Sequence, residues 1–182
     1  AATAMWNHDG QVTIWCSSQG HFQIRDNSAM VLGIPVSNIK VVPMEIGGGF
    51  GGKTVIYLEP VAAMLSKKTG RPVKITMNRT EVFEGTGPTS GSYVRFKLGA
   101  NKAGRITAAD ATIMYEAGAF PGAPINQALH CMLGPYDITN GRVEGCDVVV
   151  NKPKAAAYRA PGTPAAAFAA ESVIDEVAEK LG

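Results

Sequence analysis

The sequence predicts an α+β fold with mixed or antiparallel sheets and helices packed on one face. Apolar and polar residues alternate over residues 93–100, a turn follows at 101–104, and a second strand-like run covers 105–115. This pattern indicates a long antiparallel hairpin. Apolar residues at helical spacing over 164–181 indicate a long final helix. Hairpins and crossovers are mixed, which argues against a doubly wound sheet.

The first half of the chain contains a series of short predicted elements. In chain order they are strands at 3–6 and 11–17, a helix at 21–33, a strand at 39–44, a helix from near residue 55 to residue 70, and a strand at 72–77. Gly33 and Gly70 stand where the two helices should end, because glycine adopts the left-handed C-cap conformation without strain.

The second half adds irregular loops to the hairpin and the final helix. Loops are predicted at 86–92, 118–124 and 155–163, with a short helix at 125–132 and a strand at 143–150. Thr163 is the expected N-cap of the last helix, with Pro164 at its first position. We therefore predict two α+β subdomains, residues 1–85 and 86–182, as parts of one domain and as candidates for similar folds.

Composition excludes several functional classes. Of the 182 residues 46% are hydrophobic and 18% charged, and the net charge is +2. This length allows one substantial core or two small subdomains packed together, and nothing favours nucleic-acid binding. No apolar run is long enough to span a bilayer, and residues 1–10 lack the features of a signal peptide. The chain opens without Met and stops just after a predicted helix, as an excised fragment or a processed protein would.

The three cysteines, Cys16, Cys131 and Cys146, are widely spaced and form no CxxC or Cys–His pair. Zinc or iron–sulfur ligation within this chain is therefore not expected. Free thiols fit a reducing compartment, which predicts a cytoplasmic location. Export of the folded protein with a partner subunit is the alternative.

A dense glycine cluster follows the predicted strand at 39–44. Residues 47–53 read GGGFGGK. A loop with so little side-chain bulk allows backbone N–H groups to approach an anion or an oxo group closely, and Phe50 adds one aromatic wall. The cluster predicts a ligand-contacting loop, with a tight structural crossing as the alternative interpretation.

The same loop satisfies a phosphate-binding motif. Residues 47–54 match G-x-x-x-x-G-K-T between a predicted strand and a predicted helix, so a nucleotide-binding P-loop domain is a rival hypothesis. Pro60 would interrupt the helix that this motif requires. Asp110 and Asp147 follow poor matches to the apolar strand expected before a magnesium ligand. These features disfavour the P-loop.

Two further segments carry groups suited to anions or oxo ligands. Arg159 lies directly before the final helix, where a planar guanidinium and helical N–H groups together would hold an anion. Gln19 places a side-chain amide just after the predicted strand at 11–17. Taken singly, a surface salt bridge and a capping amide would explain these residues.

Taken in order, these segments resemble the molybdenum hydroxylases, the xanthine dehydrogenase and aldehyde oxidase family, over essentially all 182 residues. The matching segments are residues 17–19, 48–53, 69–73, 115–120, 157–159 and 169–172. The resemblance implies the fold of a molybdenum-cofactor-binding domain, as part of a molybdopterin-binding large subunit several times longer than this chain.

The resemblance also implies which residues contact the cofactor. They are Gln19, Gly49, Phe50, Gly51 and Arg159. Gln19 would place its amide near an oxo ligand of molybdenum, and Gly51 would turn its N–H toward the metal's ligands. The pterin's sulfurs hold the metal in this family, so no side chain here need bond it. The implied cofactor is a molybdopterin, with the cytosine dinucleotide form expected.

Departures from the family's patterns narrow the substrate. The implied substrate-pocket residues are Thr54, Gln127, Ala160 and Pro161. Purine-hydroxylating members carry glutamate at the position of Thr54 and arginine at that of Gln127, and carbon monoxide dehydrogenases carry cysteine at that of Ala160. These differences disfavour xanthine and carbon monoxide and leave an aldehyde, an N-heteroaromatic compound or an aromatic thioester.

The family's reaction, as the resemblance implies it, inserts oxygen from water into an electrophilic C–H bond. Electrons then leave through iron–sulfur clusters and FAD on partner domains or subunits. The glutamate base belongs to a later Gly-rich segment that ends in glutamate, and residues 1–182 have no match to it. The remaining molybdenum-binding domain is a further implied partner. We therefore expect no catalytic base in this chain and no activity from it alone. A non-catalytic structural domain is the last alternative.

Overall fold

The structure, a computed structural model, describes residues 1–182 and contains two compact units. The N-terminal unit is Ala1–Thr86 and the C-terminal unit is Gly87–Gly182. Each contains one mixed sheet with helices packed against it. The prediction of an α+β architecture is confirmed. The interpretation of the units as subdomains of a single domain stays a prediction.

The N-terminal unit is built on a four-stranded sheet. Its elements are β1 (Ala2–Trp6), β2 (Val12–Cys16), α1 (His21–Leu32), a 3-10 turn (Val36–Asn38), β3 (Ile39–Pro43), α2 (Glu59–Thr69), β4 (Val73–Ile75) and α3 (Arg79–Gly85). The strand order is β3-β2-β1-β4. β2 runs antiparallel to β1 and parallel to β3, and β4 runs antiparallel to β1.

The core of this unit follows from the two-residue period of its strands. Alternate residues of β1 and β2 are fully buried: Ala2, Ala4, Val12, Ile14 and Cys16. Ala62 and Ala63 of α2, with Ile24 of α1, complete the same cluster. The small alanine side chains allow α2 to pack closely on β1.

The C-terminal unit is built on a three-stranded sheet. Its elements are β5 (Ser92–Ala100), β6 (Ile106–Gly118), α4 (Ile125–Leu133), β7 (Asn140–Val149) and α5 (Thr163–Leu181). β6 is central, antiparallel to β5 and parallel to β7. Its inward residues, such as Ile113 and Tyr115, pack against α4 and α5. Neither α5 nor any other helix has the length and apolar content needed to cross a membrane.

The two units repeat one order of elements. Each begins with a hairpin, crosses through a helix to a strand parallel to the second hairpin strand, and continues through a long loop into another helix. The long loops are residues 44–58 and 150–162. α2 packs on β1, and α5 packs on β5. The N-terminal unit adds β4 at the outer edge of its hairpin, and the C-terminal unit has no strand at the corresponding place.

Three details of the predicted elements are wrong. α2 begins at Glu59 rather than near Val55, because Pro60 occupies its first turn, where a missing N–H is tolerated. β4 spans only Val73–Ile75 of the predicted 72–77. The predicted N-cap Thr163 is already helical, and Gly162 is the N-cap of α5. α3 was not predicted, although Asn78 and Glu81 form a capping box at its start.

The buried thiol of Cys16 gives a testable property of this core. Burial raises the pKa of Cys16 from 9.0 to about 11, and the nearby Glu59 carboxylate adds to this rise. Because the folded-state pKa lies above the unfolded one, the associated stability is complete below about pH 9 and is lost as the pH rises toward 11. A pKa rise of this size corresponds to about 2–3 kcal/mol in the free energy of unfolding.

We therefore expect Cys16 in the native full-length protein to react with iodoacetamide at pH 8 at least about 100-fold more slowly than in denatured protein. Peptide mass spectrometry at timed intervals measures both rates. Cys146, which is exposed, provides the comparison within the same sample. Equal native and denatured rates at Cys16 would contradict the expected protection.

Candidate functional site

Two loops of the N-terminal unit meet at the carboxyl ends of two neighbouring strands. Because β2 and β3 are parallel, the loops that follow them leave the sheet at the same end. The Met44 N–H donates to the Cys16 carbonyl (3.1 Å), and the Ser17 hydroxyl donates to the Glu45 carbonyl (2.7 Å). This pairing brings Gln19 to the glycine loop.

The glycine loop fixes the orientation of the Gln19 amide. Oε1 of Gln19 accepts hydrogen bonds from the N–H groups of Gly51 (2.9 Å) and Lys53 (3.1 Å). The Gln19 backbone N–H donates to the Lys53 carbonyl (3.0 Å). Two N–H donors require an acceptor, so this atom is the amide oxygen. The Nε2 group of the exposed Gln19 is thereby left as an oriented donor without a hydrogen-bond partner in the chain.

The side chains of Lys53 and Thr54 close the loop on itself. The Lys53 ammonium donates to the Ile46 carbonyl (2.6 Å), and the Thr54 hydroxyl donates to the Gly51 carbonyl (2.9 Å). In a P-loop these two groups would contact phosphate and magnesium. The following helix also begins only at Glu59. The structure therefore gives no support to the nucleotide-binding hypothesis.

Gly49 and Phe50 shape the surface of the loop beside Gln19. A Cβ at Gly49 would overlap Cγ and Cδ of Gln19, so only glycine allows this close approach. Phe50 has a φ of 52°, a left-handed conformation that strains a residue with a side chain. Its ring lies over Gly48 and is 62% exposed, which leaves an open aromatic surface.

The corresponding loops of the C-terminal unit include Arg159. β6 and β7 are parallel neighbours, so the loops at residues 119–124 and 150–162 both begin at the carboxyl ends of these strands. Arg159 is exposed and forms no hydrogen bond or ion pair within the chain. Ala160 has a φ of 56°, which turns the chain toward α5. No side chain caps the N-terminus of α5, where the helix dipole favours an anion.

The buried side chain of Tyr115 forms a hydrogen bond to the loop that contains Arg159. Its hydroxyl donates to the Gly162 carbonyl (2.5 Å), and its side chain is fully buried. Burial raises the pKa of Tyr115 above its usual 10.0, and nearby Cys131 adds to the shift, so the hydroxyl stays protonated and can donate. A Cβ at Gly162 would collide with the Pro124 carbonyl, which places the start of α4 against this loop.

Two charged side chains fasten the loop that follows β6. The Asp147 carboxylate accepts the N–H groups of Gly122 (2.6 Å) and Ala123 (3.1 Å). The Lys154 ammonium donates to the Gly122 carbonyl (2.9 Å). Sequence reasoning did not assign Tyr115, Asp147 or Lys154 to the site. Only the inward alternation of β6, which buries a tyrosine hydroxyl in need of a partner, could have indicated the first.

The residues proposed from sequence fall into two groups, one in each unit. Around the glycine loop lie Gln19, Gly49, Phe50, Gly51 and Thr54, and before α5 lie Arg159, Ala160 and Pro161. Gln127 is exposed on α4. The Gly51 N–H, expected to face the metal's ligands, donates to Gln19 in this structure. No group of three or more His, Cys, Asp and Glu side chains could hold a metal ion.

Comparison with known proteins identifies relatives across the full chain. The family described as "Molybdopterin cofactor-binding domain" matches residues 1–182. The chain is 33% identical to a probable xanthine dehydrogenase subunit of Bacillus subtilis, in a match that covers 96% of the chain and 24% of the relative. It is 31% identical to the aldehyde oxidoreductase molybdenum-binding subunit PaoC of Escherichia coli K12, over 100% of the chain and 25% of the relative.

A solved structure gives the same result. Quinoline 2-oxidoreductase from Pseudomonas putida 86 superposes with a TM-score of 0.86 at 29% identity, over 100% of this chain and 24% of the other. The chain thus spans about a quarter of the length of these three relatives. The chain belongs to the family of molybdopterin cofactor-binding domains found in molybdenum hydroxylases.

Proposed function

We propose that this chain forms part of the molybdopterin-binding subunit of a molybdenum hydroxylase that oxidises an aldehyde or an aromatic or N-heterocyclic compound, with water as the oxygen source. The observation that supports it most directly is the Gln19 amide, which two N–H groups of the glycine loop hold with its donor end unpaired. An oriented amide donor suits an oxo group, which accepts hydrogen bonds but cannot donate them.

The other exposed groups fit different parts of a molybdopterin. Phe50 offers an aromatic surface for a flat pterin ring. Arg159 offers a planar guanidinium, and the N-terminus of α5 favours negative charge, as the phosphate of the cofactor requires. The bound cofactor would supply the redox chemistry. In our proposal the chain's own residues, Gln19, Gly49, Phe50, Gly51 and Arg159, bind and orient it.

The proposed substrate class rests on the absence of charged side chains among the four proposed pocket residues. Thr54, Gln127, Ala160 and Pro161 carry no ionised group, which disfavours a substrate that needs a charged partner. The relatives named for aldehydes and for quinoline fit the proposed class. Because Thr54 already donates to a carbonyl of its own loop, it contributes shape more than hydrogen bonding to such a pocket.

Further parts of the enzyme are proposed to lie outside residues 1–182. These are the catalytic base, the remaining molybdenum-binding domain, the iron–sulfur clusters and FAD on partner domains or subunits. We expect the cytosine dinucleotide form of molybdopterin and a cytoplasmic location, both as predictions from sequence. Without a general base the chain alone should be inactive.

The pair Gly49→Ala and Gly52→Ala tests this function in the full-length protein with its partner subunits. Alanine at Gly49 would displace Gln19, whereas a Cβ at Gly52 would lie 3.6 Å from the Gly49 carbonyl oxygen, an ordinary contact. We expect Gly49→Ala to lower aldehyde or quinoline turnover by about 10- to 100-fold, since one oriented donor is lost. Gly52→Ala should remain within about threefold of the parent.

Metal and nucleotide analysis completes the test. The parent protein should contain molybdenum, measured by plasma mass spectrometry, and should release a cytosine nucleotide on acid treatment. Full-length protein assembled with its partners that contains neither molybdenum nor a pterin would contradict the proposed function. Equal activities of the two alanine variants would instead contradict the assignment of Gln19.

A further inference from the structure

The outer edge of β5 presents a row of unpaired backbone groups. The Glu116 N–H donates to the Gly91 carbonyl (2.9 Å), which fixes the phase of the antiparallel β5–β6 ladder. Residues 93, 95 and 97 therefore bond to β6. The N–H and C=O groups of Val94, Phe96 and Leu98 point away from β6, and β5 is the last strand of its sheet.

The same edge of the N-terminal unit is paired. There the Asn7 N–H donates to the Gln11 carbonyl (2.8 Å), which gives the β1–β2 ladder a corresponding phase. The outward groups of β1 belong to Ala2 and Ala4, which pair with Ile75 and Val73 of β4. The outward N–H of the last residue of β1, Trp6, donates to the Ser66 hydroxyl of α2 (2.9 Å).

The lengths of α2 and α5 show how the chain returns to the outer side of the first strand in each unit. α2 has 11 residues and lies on β1, which has 5, so both measure about 17 Å. From its end the chain turns at Gly70 directly into β4. α5 has 19 residues and lies on β5, which has 9, so these measure about 29 and 30 Å. Each helix therefore carries the chain back along the full length of its strand.

Burial differs between the two edges in the way that a missing strand would produce. In β1, between two neighbours, Ala2 and Ala4 are 1% and 0% exposed. In β5 the equivalent inward residues Val94 and Phe96 pack on the core but are only half-buried. An additional strand beneath α5 would cover them and pair the outward backbone groups, as strand addition does at open sheet edges.

We propose that the outer edge of β5 is completed by an extended strand of the same polypeptide, which enters directly after α5 and runs antiparallel to β5. By analogy with Val73 and Ile75 of β4, its alternate residues are apolar and face α5. The completed unit then has the same order of strands and helices as β1 to β4. This inference concerns the fold and does not depend on the proposed function.

Residue-resolved hydrogen exchange on the isolated full-length subunit tests this proposal. The amides of Val94, Phe96 and Leu98 should be protected as strongly as those of Tyr93, Arg95 and Lys97, which bond to β6. Exchange of the outward set at the rate of free amides would overturn it. Protection that appears only on adding partner subunits, or that depends on protein concentration, would show that another chain supplies the strand and would also overturn it.

Val94→Pro and Val94→Ala give a second, matched measurement in the same subunit. Both lose the branched β-carbon of valine, but only proline removes the outward N–H. If that N–H donates to an added strand, Val94→Pro should melt at a temperature several degrees below Val94→Ala. Equal melting temperatures would contradict the pairing. Activity plays no part in either measurement, so failure here and failure of the proposed function are distinguishable.

Discussion

Under the proposed function, replacing Gln19 with alanine in the full-length protein is expected to lower kcat/KM by about 100-fold, the usual effect of removing one oriented donor from a reacting centre. Two consequences of the change act together. The unpaired Nε2 donor is lost, and the Gly51 and Lys53 N–H groups lose the oxygen that they share. Steady-state kinetics on protein normalised to its molybdenum content measures the effect.

The variant Gln19→Glu separates these two consequences. A glutamate keeps an oxygen for the Gly51 and Lys53 N–H groups but has no donor when ionised. The glycine loop should therefore keep its hydrogen-exchange protection while turnover falls as far as in Gln19→Ala. Gln11→Ala, which changes an exposed glutamine in the turn before β2, is the control and should match the parent. A fully active Gln19→Glu variant would contradict the donor role.

The regular elements could be predicted where local chemistry and tertiary packing agree. The hairpin of β5 and β6 alternates clearly because only one face is buried, and Gly33 and Gly70 end α1 and α2 in the left-handed conformation. The predicted start of α2 near Val55 is wrong because it places Pro60 inside the helix instead of in its first turn. A proline interrupts a helix interior but is favoured in the first turn, where it lies here.

The proximity of Gln19 to the glycine loop has a topological origin that no single segment reveals. It requires β2 and β3 to be parallel neighbours, a pairing that depends on the whole sheet. Likewise, the G-K-T pattern of residues 52–54 is compatible with two structures. Only the three-dimensional contacts show that Lys53 closes its own loop on the Ile46 carbonyl.

The supports of the C-terminal loops were missed for a related reason. Asp147 lies in a strand and holds the N–H groups of Gly122 and Ala123, which are far from it in sequence. Nothing local to Asp147 distinguishes it from a solvated strand carboxylate. Tyr115 is equally remote from Gly162. Such contacts between sequence-distant residues depend on the crossover through α4, which sets the register of β7 beside β6.

Arg159 is expected to have the second large effect, on retention of the cofactor. Because Arg159 has no partner within the chain, its substitution should leave the fold intact and act on the ligand alone. Loss of a charge-assisted hydrogen bond predicts about 10- to 100-fold faster cofactor release from Arg159→Ala. Samples are passed through a desalting column at timed intervals after dilution. The pterin that remains with the protein is then oxidised and measured by its fluorescence.

The variant Arg159→Lys and the salt dependence identify which property of the arginine matters. Lysine keeps the charge but loses the planar fork of donors. It should therefore restore only part of the retention if two N–H groups of the guanidinium bind the cofactor phosphate. Raising the ionic strength should speed release from the parent, because Arg159 is exposed and its charge is screened. Arg105→Ala, which removes an exposed arginine paired with Asp137, should release cofactor at the parent rate. If Arg159→Ala also does so, the guanidinium does not hold the cofactor, and the loop before α5 serves the fold alone.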